Sequence, residues 1–317
     1  MSNRTIPLVD LSSFVNGDND QRLAFVEKLG KAFHEVGFVG VINHGVPKDL
    51  IAKFFEASKA FFSLPLDVKK KYEIPGLAGQ RGYTSFGKEH AKQSKVADLK
   101  EFYQFGQYLE VNDPLRAEYP DNPYVEDLPE FSEYAELLYK TFEKTGGHLL
   151  RAIALHLDLD ENYFDDKIER GNSILRSIHY PPITEEPQSA IRAEQHEDIN
   201  LITLLVGASA GGLQLLNTDN EWVDILPEDD EIVINVGDML QRLTNNYLKS
   251  TTHRVVNPPK ELWHIPRLSI PFFLHPKSDV RLDCLPQTVT NDRPLAYAPI
   301  TAGEYLDERL REIGLKK

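Results

Sequence analysis

Two short His-x-Asp sequences offer the residue types that bind transition metals. They are His156-Leu157-Asp158 and His196-Glu197-Asp198. The chain has ten histidines and 49 acidic residues among 317 positions, so chance alone should produce roughly one or two such pairs. Local structure separates the two. Side chains two residues apart share a face on a strand, whereas on a helix they point about 200° apart.

The second sequence is the better candidate for a metal site. His196 precedes the aliphatic run 201–206, which is typical of a buried strand, so its ring and the Asp198 carboxylate can converge on one ion. His156 ends a long helical pattern, where the helix dipole favours a cation, and we interpret it as a helix-end histidine. His253, where a strand begins again in "KSTTHRVV", is the best third ligand on context.

Two histidines and one carboxylate, all carried by strands, form the facial triad of non-haem Fe(II) oxygenases. That geometry leaves three positions on one side of the ion for small molecules. Zinc would more often recruit a thiolate or a third histidine, and the single thiol, Cys284, is remote in sequence. The triad therefore favours iron.

The segment "RLSIPFFL" adds a candidate anion site. Arg267 and Ser269 are two apart on a predicted strand and can both face the interior. A buried guanidinium needs a partner, and a carboxylate that accepts two hydrogen bonds is its best match. A structural salt bridge to one of the many acids is the alternative. Pro271 lacks a backbone donor, so we expect an edge or a bulge there.

These residues must be positioned by two kinds of element. The N-terminal half is predicted to be mostly helical, with clear apolar periodicity at 22–37 and 131–157. From about residue 172, short apolar runs are separated by Gly, Asn, Asp and Pro, which is typical of an all-β sandwich or barrel. We expect helices packed on a β-barrel as one functional unit.

Composition narrows the function classes. A formal net charge of -14, with no basic run longer than Lys69–Lys71, argues against nucleic acid as a partner. We expect neither a signal peptide nor a membrane span, because no apolar run is long enough and the first twenty residues contain four charged groups, Arg4, Asp10, Asp18 and Asp20. One cysteine permits no intramolecular disulfide, which is consistent with the cytoplasm.

Over nearly its whole length, the chain resembles the isopenicillin-N-synthase-like group of Fe(II)/2-oxoglutarate dioxygenases. The matching blocks are "IPLVDLSSF", "GFVGVINHGVP", "RGYTSFG", "DLKEFYQFG", "LRSIHYPP", "HEDINLITLLV", "GGLQLLNTDNEWVDI", "VINVGDMLQRLTNNYLKSTTHRVVNP" and "RLSIPFFLHP". The combination of H-x-D, a distal H-R-V and R-x-S is highly specific.

The resemblance implies a mainly β fold with added helices. Its core is a double-stranded β-helix, or jelly roll, at 171–280. A mixed helical region at 1–170 packs outside it, and 281–317 form a C-terminal segment with a helix.

The resemblance also implies roles for residues. His196, Asp198 and His253 would bind Fe(II), and Arg267, Ser269 and Tyr180 would bind 2-oxoglutarate. Four residues of the matched N-terminal blocks are substrate candidates: Arg81, Tyr83, Phe102 and Gln104. Core packing is the alternative for Phe102, and a surface salt bridge is the alternative for Arg81. Plant members of the group often carry Asn where this chain has Ile178, so one cofactor contact differs.

The implied reaction oxidises a small molecule with O2, by hydroxylation or desaturation, and releases succinate and CO2. Two alternatives stay open. One is an isopenicillin-N-synthase-like oxidase without 2-oxoglutarate, in which Arg267 and Ser269 hold a substrate carboxylate. The other is a non-catalytic jelly roll that binds a metal or ligand. A monomer is plausible, but the sequence does not determine the oligomeric state.

Overall fold

A computed structural model describes residues 5–77, 79–89, 97–187, 189–206 and 210–312. Within them, twelve strands form two sheets. The strands are β1 (Leu8–Asp10), β2 (Phe38–Ile42), β3 (Gly82–Thr84), β4 (Glu101–Phe105), β5 (Ile174–Tyr180), β6 (Ala193–His196), β7 (Ile202–Val206), β8 (Leu213–Leu216), β9 (Trp222–Asp224), β10 (Ile232–Val236), β11 (His253–Val255) and β12 (Arg267–Leu274).

The larger sheet has eight strands in the order β1-β2-β10-β7-β12-β5-β4-β3, and the smaller has the order β6-β11-β8-β9. All pairings are antiparallel except that of β1 with β2. The two sheets form the predicted jelly-roll core, so the expected fold class is confirmed.

Eight α-helices accompany the sheets within the described residues. They are α1 (Leu11–Val15), α2 (Asn19–Glu35), α3 (Lys48–Phe62), α4 (Leu66–Lys70), α5 (Pro129–His156), α6 (Asp165–Ile168), α7 (Asp238–Leu243) and α8 (Ala302–Glu312). The predicted helices at 22–37 and 131–157 correspond to α2 and α5. None of the described helices is long and apolar enough to cross a bilayer.

The main core lies between α5 and one face of the larger sheet. Tyr139 and Phe142 of α5 contact the Phe272 ring of β12, with centroids 5.0 and 5.5 Å apart. The even-numbered residues of β12 are buried in this core, whereas its odd-numbered residues line a cavity on the other face. Because side chains alternate along a strand, one face of β12 packs in the core and the other face lines the cavity.

The N-terminal region does more than pack outside the core. It supplies β1 and β2 at one side of the larger sheet and β3 and β4 at the other. The apolar pattern predicts only β2 among these as a strand. The division of the chain at 170 and 280 stays a prediction.

Pro271 corrects one expectation, because β12 is an internal strand between β5 and β7. Its pairing with β7 is continuous from Ile270 to Leu274. On the β5 side, the pairing passes from Ser269 to Phe272 without a partner between them, as the missing proline donor requires. A central strand therefore accommodates the proline by a local gap in one ladder, without an edge or a bulge.

The loop that carries Asp198 is held against the turn between β10 and α7. The Gly237 N–H donates to the Leu201 carbonyl at 2.9 Å, and the Asp238 N–H donates to the Asp198 carbonyl at 2.7 Å. A Cβ atom on Gly237 would lie 2.2 Å from the carbonyl oxygen of Asn200, a fully buried residue.

We therefore expect Gly237→Ala to displace this loop and to destabilise the fold by about 1–3 kcal/mol, in the range of overpacking. Urea unfolding of the purified protein measures the effect. Gly211→Ala is the control, because a Cβ there would meet no atom within 4 Å. Equal unfolding midpoints for the two variants would contradict the predicted close packing of Gly237 against the loop that carries Asp198.

Candidate metal centre and active site

Two histidines and one aspartate converge between the sheets. His196 ends β6 and His253 begins β11, and the two are directly opposite in the ladder. Asp198 follows in the loop after β6. Its Oδ1 lies 3.9 Å from Nε2 of His196 and 3.8 Å from Nε2 of His253. One ligand atom from each residue lies within 4.8 Å of the others. The three predicted ligands therefore form one cluster.

Hydrogen bonds fix both imidazole rings. Nδ1 of His196 donates to the Glu194 carbonyl at 2.6 Å, and Nδ1 of His253 donates to the Thr251 carbonyl at 3.1 Å. A carbonyl only accepts, so these bonds require the proton on Nδ1 and leave the Nε2 lone pair for an ion. Burial and the neighbouring His253 lower the pKa of His196, which favours the neutral, ligating form.

The Asp198 carboxylate is oriented by the larger sheet. Its Oδ2 accepts from the Thr203 hydroxyl at 2.6 Å and from the Asn235 amide at 2.8 Å. Burial alone would raise the pKa of Asp198, but the two histidines and these hydrogen bonds lower it below its usual value. Asp198 therefore stays ionised, and its Oδ1 is left to face the histidines. The donor set fits a divalent transition metal.

A cavity of about 820 Å³ surrounds the cluster. Its wall includes alternate residues of two paired strands, β5 and β12. From one end to the other, the cavity-facing residues are Tyr180, Ile178, Arg176 and Ile174 of β5, opposite Arg267, Ser269, Pro271 and Phe273 of β12. The predicted residues Tyr180, Arg267 and Ser269 thus lie together at one end of the cavity.

This end of the cavity contains positive charge without a carboxylate partner among the described residues. Arg267 is 1% exposed, its Nε donates to the Ala210 carbonyl at 3.1 Å, and its Nη1 is buried without a partner. Its guanidinium lies 5.0 Å from the centre of the Tyr180 ring. A buried, incompletely bonded guanidinium beside a metal cluster fits the carboxylate of a bound acid.

A second arginine, Arg192, strengthens this conclusion. It is 1% exposed, with Nη2 donating to the Ile265 carbonyl at 2.9 Å and Nε buried without a partner. Burial and the nearby charge of Arg267 lower the pKa of Arg192 to about 10. Arg192 does not line the cavity, but its charge adds to the positive potential around Arg267 and so favours an anion at this end.

Only one of the four predicted substrate residues, Gln104, lines the cavity. Arg81 is buried away from it and donates to the Pro120 and Gln80 carbonyls at 3.2 and 2.7 Å, so the surface salt bridge is also wrong. Tyr83 donates to Glu101 at 2.5 Å in the packed interior. Phe102 lies in the smaller apolar cluster.

Several site residues escape sequence reasoning. Thr203 and Asn235 are polar positions within apolar strands, which is a signal that could have found them. Arg176 lies four residues before Tyr180 on one strand and therefore shares its face. The remaining ones lie in loops or at strand starts without a periodic signal: Glu89, Asp98, Lys100 and Arg192.

A jelly roll with two histidines and one carboxylate in its interior defines the class of non-haem Fe(II) oxygenases. Residues 6–127 match the family described as "non-haem dioxygenase in morphine synthesis N-terminal", and residues 171–276 match the "2OG-Fe(II) oxygenase superfamily". The chain belongs to the 2OG-Fe(II) oxygenase family, and it is a 2-oxoglutarate/Fe(II)-dependent dioxygenase acting on a small molecule.

Named relatives cover almost the whole chain. The 2-oxoglutarate-dependent dioxygenase htyE of Aspergillus rugulosus is 34% identical over 95% of this chain and 96% of its own length. The proline hydroxylase buaE of Petromyces alliaceus is 32% identical over 95% and 97%.

Solved structures agree with this assignment. A 2OG-Fe(II) oxygenase family protein from Caulobacter crescentus is 41% identical, with a TM-score of 0.88 over 98% of this chain and 99% of that one. A full-length Neurospora crassa protein, solved in complex with α-ketoglutarate and thymine, is 31% identical, with a TM-score of 0.84 over 98% and 97%.

The ligand assignment predicts a sharp loss of metal in His253→Ala. We expect Fe(II) affinity to fall by more than about tenfold, because two ligands cannot replace three, while the circular dichroism of the β-rich fold persists. Metal analysis after anaerobic loading measures this. His156→Ala is the control, because His156 contacts Tyr247 and not the cluster. Equal iron content in the His253 variant and the parent protein would refute the assignment.

Proposed function

We propose that His196, Asp198 and His253 hold Fe(II), and that Arg267, Ser269 and Tyr180 bind the far carboxylate of 2-oxoglutarate. The unpaired, buried Nη1 of Arg267 carries this proposal. Ser269 and Tyr180 line the same end of the cavity and add hydroxyl groups beside the guanidinium. Ile178 lies directly opposite Ser269 in the ladder and contributes only apolar surface.

When bound, the iron and 2-oxoglutarate activate O2 and supply the oxidising power, with release of succinate and CO2. The chain positions and shields the reactants. Asp198 and the two carbonyl-bound imidazoles hold three ligand atoms on one side, which leaves the other side open to the cavity. Arg267 would hold the far carboxylate of the cosubstrate through its unpartnered Nη1. The apolar side chains of Leu205, Leu213 and Val255 line the cavity and exclude water.

We propose hydroxylation of a small molecule as the reaction. Two relatives suggest first candidates: proline, from the name of the Petromyces alliaceus hydroxylase, and thymine, from the complex of the Neurospora crassa protein. The acidic net charge of -14 supports small molecules over nucleic acids. Composition and the single cysteine favour a cytoplasmic enzyme, and we propose a monomer.

Succinate formation tests the reaction class. We expect succinate to appear from 2-oxoglutarate in amounts matching the hydroxylated product, and O2 consumption to stop when 2-oxoglutarate is omitted. Oxygen-electrode traces and product quantification give both values. Substrate oxidation that continues without 2-oxoglutarate would instead support the oxidase, and iron binding without any O2 consumption would support a non-catalytic protein.

The cosubstrate site predicts a selective defect in Arg267→Lys. Lysine keeps the charge but loses the planar pair of donors. A lost charged hydrogen bond costs about 1.5–3 kcal/mol, so the 2-oxoglutarate concentration for half-maximal turnover should rise about ten- to a hundredfold with iron retained. Arg254→Lys, on a β11 residue that contacts Trp222 outside the cavity, is the control. An unchanged dependence on 2-oxoglutarate would exclude this role of Arg267.

A further inference from the structure

Arg176 lies at the cavity end opposite Arg267. It is four residues from Tyr180 on β5, which corresponds to about 14 Å at roughly 3.4 Å per residue. Its neighbours across and along the sheet are Pro271, Ile174 and Phe273, all of which line the cavity. The two arginines therefore serve different ends of one cavity, with the cosubstrate site at the Arg267 end.

The Arg176 guanidinium is held in a fixed plane. Nε donates to Oε1 of Gln104 at 2.8 Å, and Nη1 donates to the two Glu89 carboxylate oxygens at 3.2 and 3.3 Å. The group lies 4.2 Å from the centre of the Phe102 ring and 5.4 Å from that of Phe273. Nη2 has no hydrogen-bond partner among the described residues, and it is not enclosed by protein atoms.

The charges around Arg176 cancel. Lys100 contacts Glu89 and Asp98, each at 2.7 Å, so two cations meet two carboxylates among the described residues. The side chains of Lys100 and Glu89 are only 7% and 13% exposed. Burial raises the pKa of Glu89, but the charges of Arg176 and Lys100 outweigh it and lower this pKa to about 2. These four described groups, Arg176, Lys100, Glu89 and Asp98, stay ionised and together carry no net charge.

We propose that Arg176 is a specificity-determining residue whose free Nη2 donates to a carbonyl oxygen of a neutral, planar ring. The proposal rests on the proposed function, because it assigns the substrate end of the same cavity. Gln104 and Glu89 orient the donor, and Phe273 offers an aromatic face beside the ring. Cyclic amides and imides, pyrimidine bases among them, have this chemistry.

The balanced network also selects against charged substrates. A substrate carboxylate would bring an unpaired anion beside Glu89 and Asp98, and burying an uncompensated charge is costly. The cation without a carboxylate partner among the described lining residues, Arg267, is already assigned to the cosubstrate. A free amino acid such as proline, which carries a carboxylate and an ammonium group, fits this end less well than a neutral ring.

Ligand binding to the anaerobic Fe(II) enzyme with 2-oxoglutarate tests the proposal. The probes for calorimetry are thymine, uracil and 2-pyridone as neutral rings, and proline as the zwitterion. We expect the parent protein to prefer the neutral rings. Arg176→Lys should weaken their binding about ten- to a hundredfold, because it loses the charged hydrogen bond. The 2-oxoglutarate affinity of the variant, read from the absorbance of the iron chelate, should change less than about threefold.

The control matches the chemistry of Arg176 outside the cavity. Arg254 also donates from Nε to a glutamine, Gln214, at 2.9 Å and packs on an aromatic ring, Trp222, at 3.9 Å. Arg254→Lys should leave probe binding unchanged. A structural role of Arg176 alone would lower both probe and 2-oxoglutarate binding, whereas a specificity role lowers only the former.

Glu89→Gln provides an independent second variant. It keeps the shape of the side chain but leaves the network one positive charge in excess. Binding of orotate, a pyrimidine that carries a carboxylate, should then rise relative to uracil by at least about tenfold.

The proposal is overturned if the parent protein binds none of the neutral rings, if it prefers proline, or if Arg176→Lys binds the rings within about threefold of the parent. An unchanged orotate-to-uracil ratio in Glu89→Gln also overturns it. Failure of the proposed function is distinguishable, because it shows as absent 2-oxoglutarate binding or absent succinate in the parent protein.

Discussion

The site depends on one constraint: the two carboxylate oxygens of Asp198 have different partners. Oδ2 is held by Thr203 of β7 and Asn235 of β10, both in the larger sheet. Oδ1 faces two histidines that belong to the smaller sheet. The metal cluster is therefore a junction between the sheets. If either donor to Oδ2 were lost, the carboxylate could rotate. Its Oδ1 would then no longer be held facing the Nε2 atoms of the two histidines.

The distribution of charge partners makes the two ends of the cavity electrostatically different. At one end, Arg267 is buried without a carboxylate partner among the described residues, and the nearby charge of Arg192 adds to the positive potential there, which costs free energy until an anion binds. At the other end, Arg176 and Lys100 have their carboxylates already in place. The arginines at the two ends of the cavity therefore have different effects on ligand binding. An unpaired arginine creates affinity for a charged ligand, whereas a paired one offers a directed hydrogen bond without demanding charge.

The sequence predicts the three residues of the His-Asp-His cluster because their signal is local, and the structure brings all three together. His196 and Asp198 precede a predicted strand, whereas His156 and Asp158 end a predicted helix. The apolar periodicity of the two segments therefore distinguishes the metal-binding candidate from the chance His-x-Asp pair. Arg267 with Ser269 is readable in the same way. The N-terminal substrate residues are harder to predict from sequence, because the side of β4 that faces the cavity depends on its pairing with β5, and the side of β3 depends on its pairing with β4. Arg81 and Tyr83 lie in blocks that resemble the family, but the fold turns both away from the cavity.

Strand β5 connects these observations, because one of its faces lines the cavity and the other makes hydrogen bonds in the packed interior. The even-numbered face carries Arg176 and Tyr180 at opposite ends of the cavity. On the other face, the Ser177 hydroxyl donates to that of Ser58 at 2.9 Å, and Nδ1 of His179 lies 2.8 Å from Glu101.

A shift of one residue in the pairing register of β5 would exchange its two faces. It would turn the guanidinium of Arg176 and the hydroxyl of Tyr180 into the packed interior and leave Ser177 and His179 facing the cavity. Because α3 holds Ser58 and Lys69 holds Glu101 at 2.8 Å, the register is secured from the side that never contacts a ligand. The distance between the two cavity ends that we propose as ligand sites is therefore set by the face of β5 that points away from the cavity.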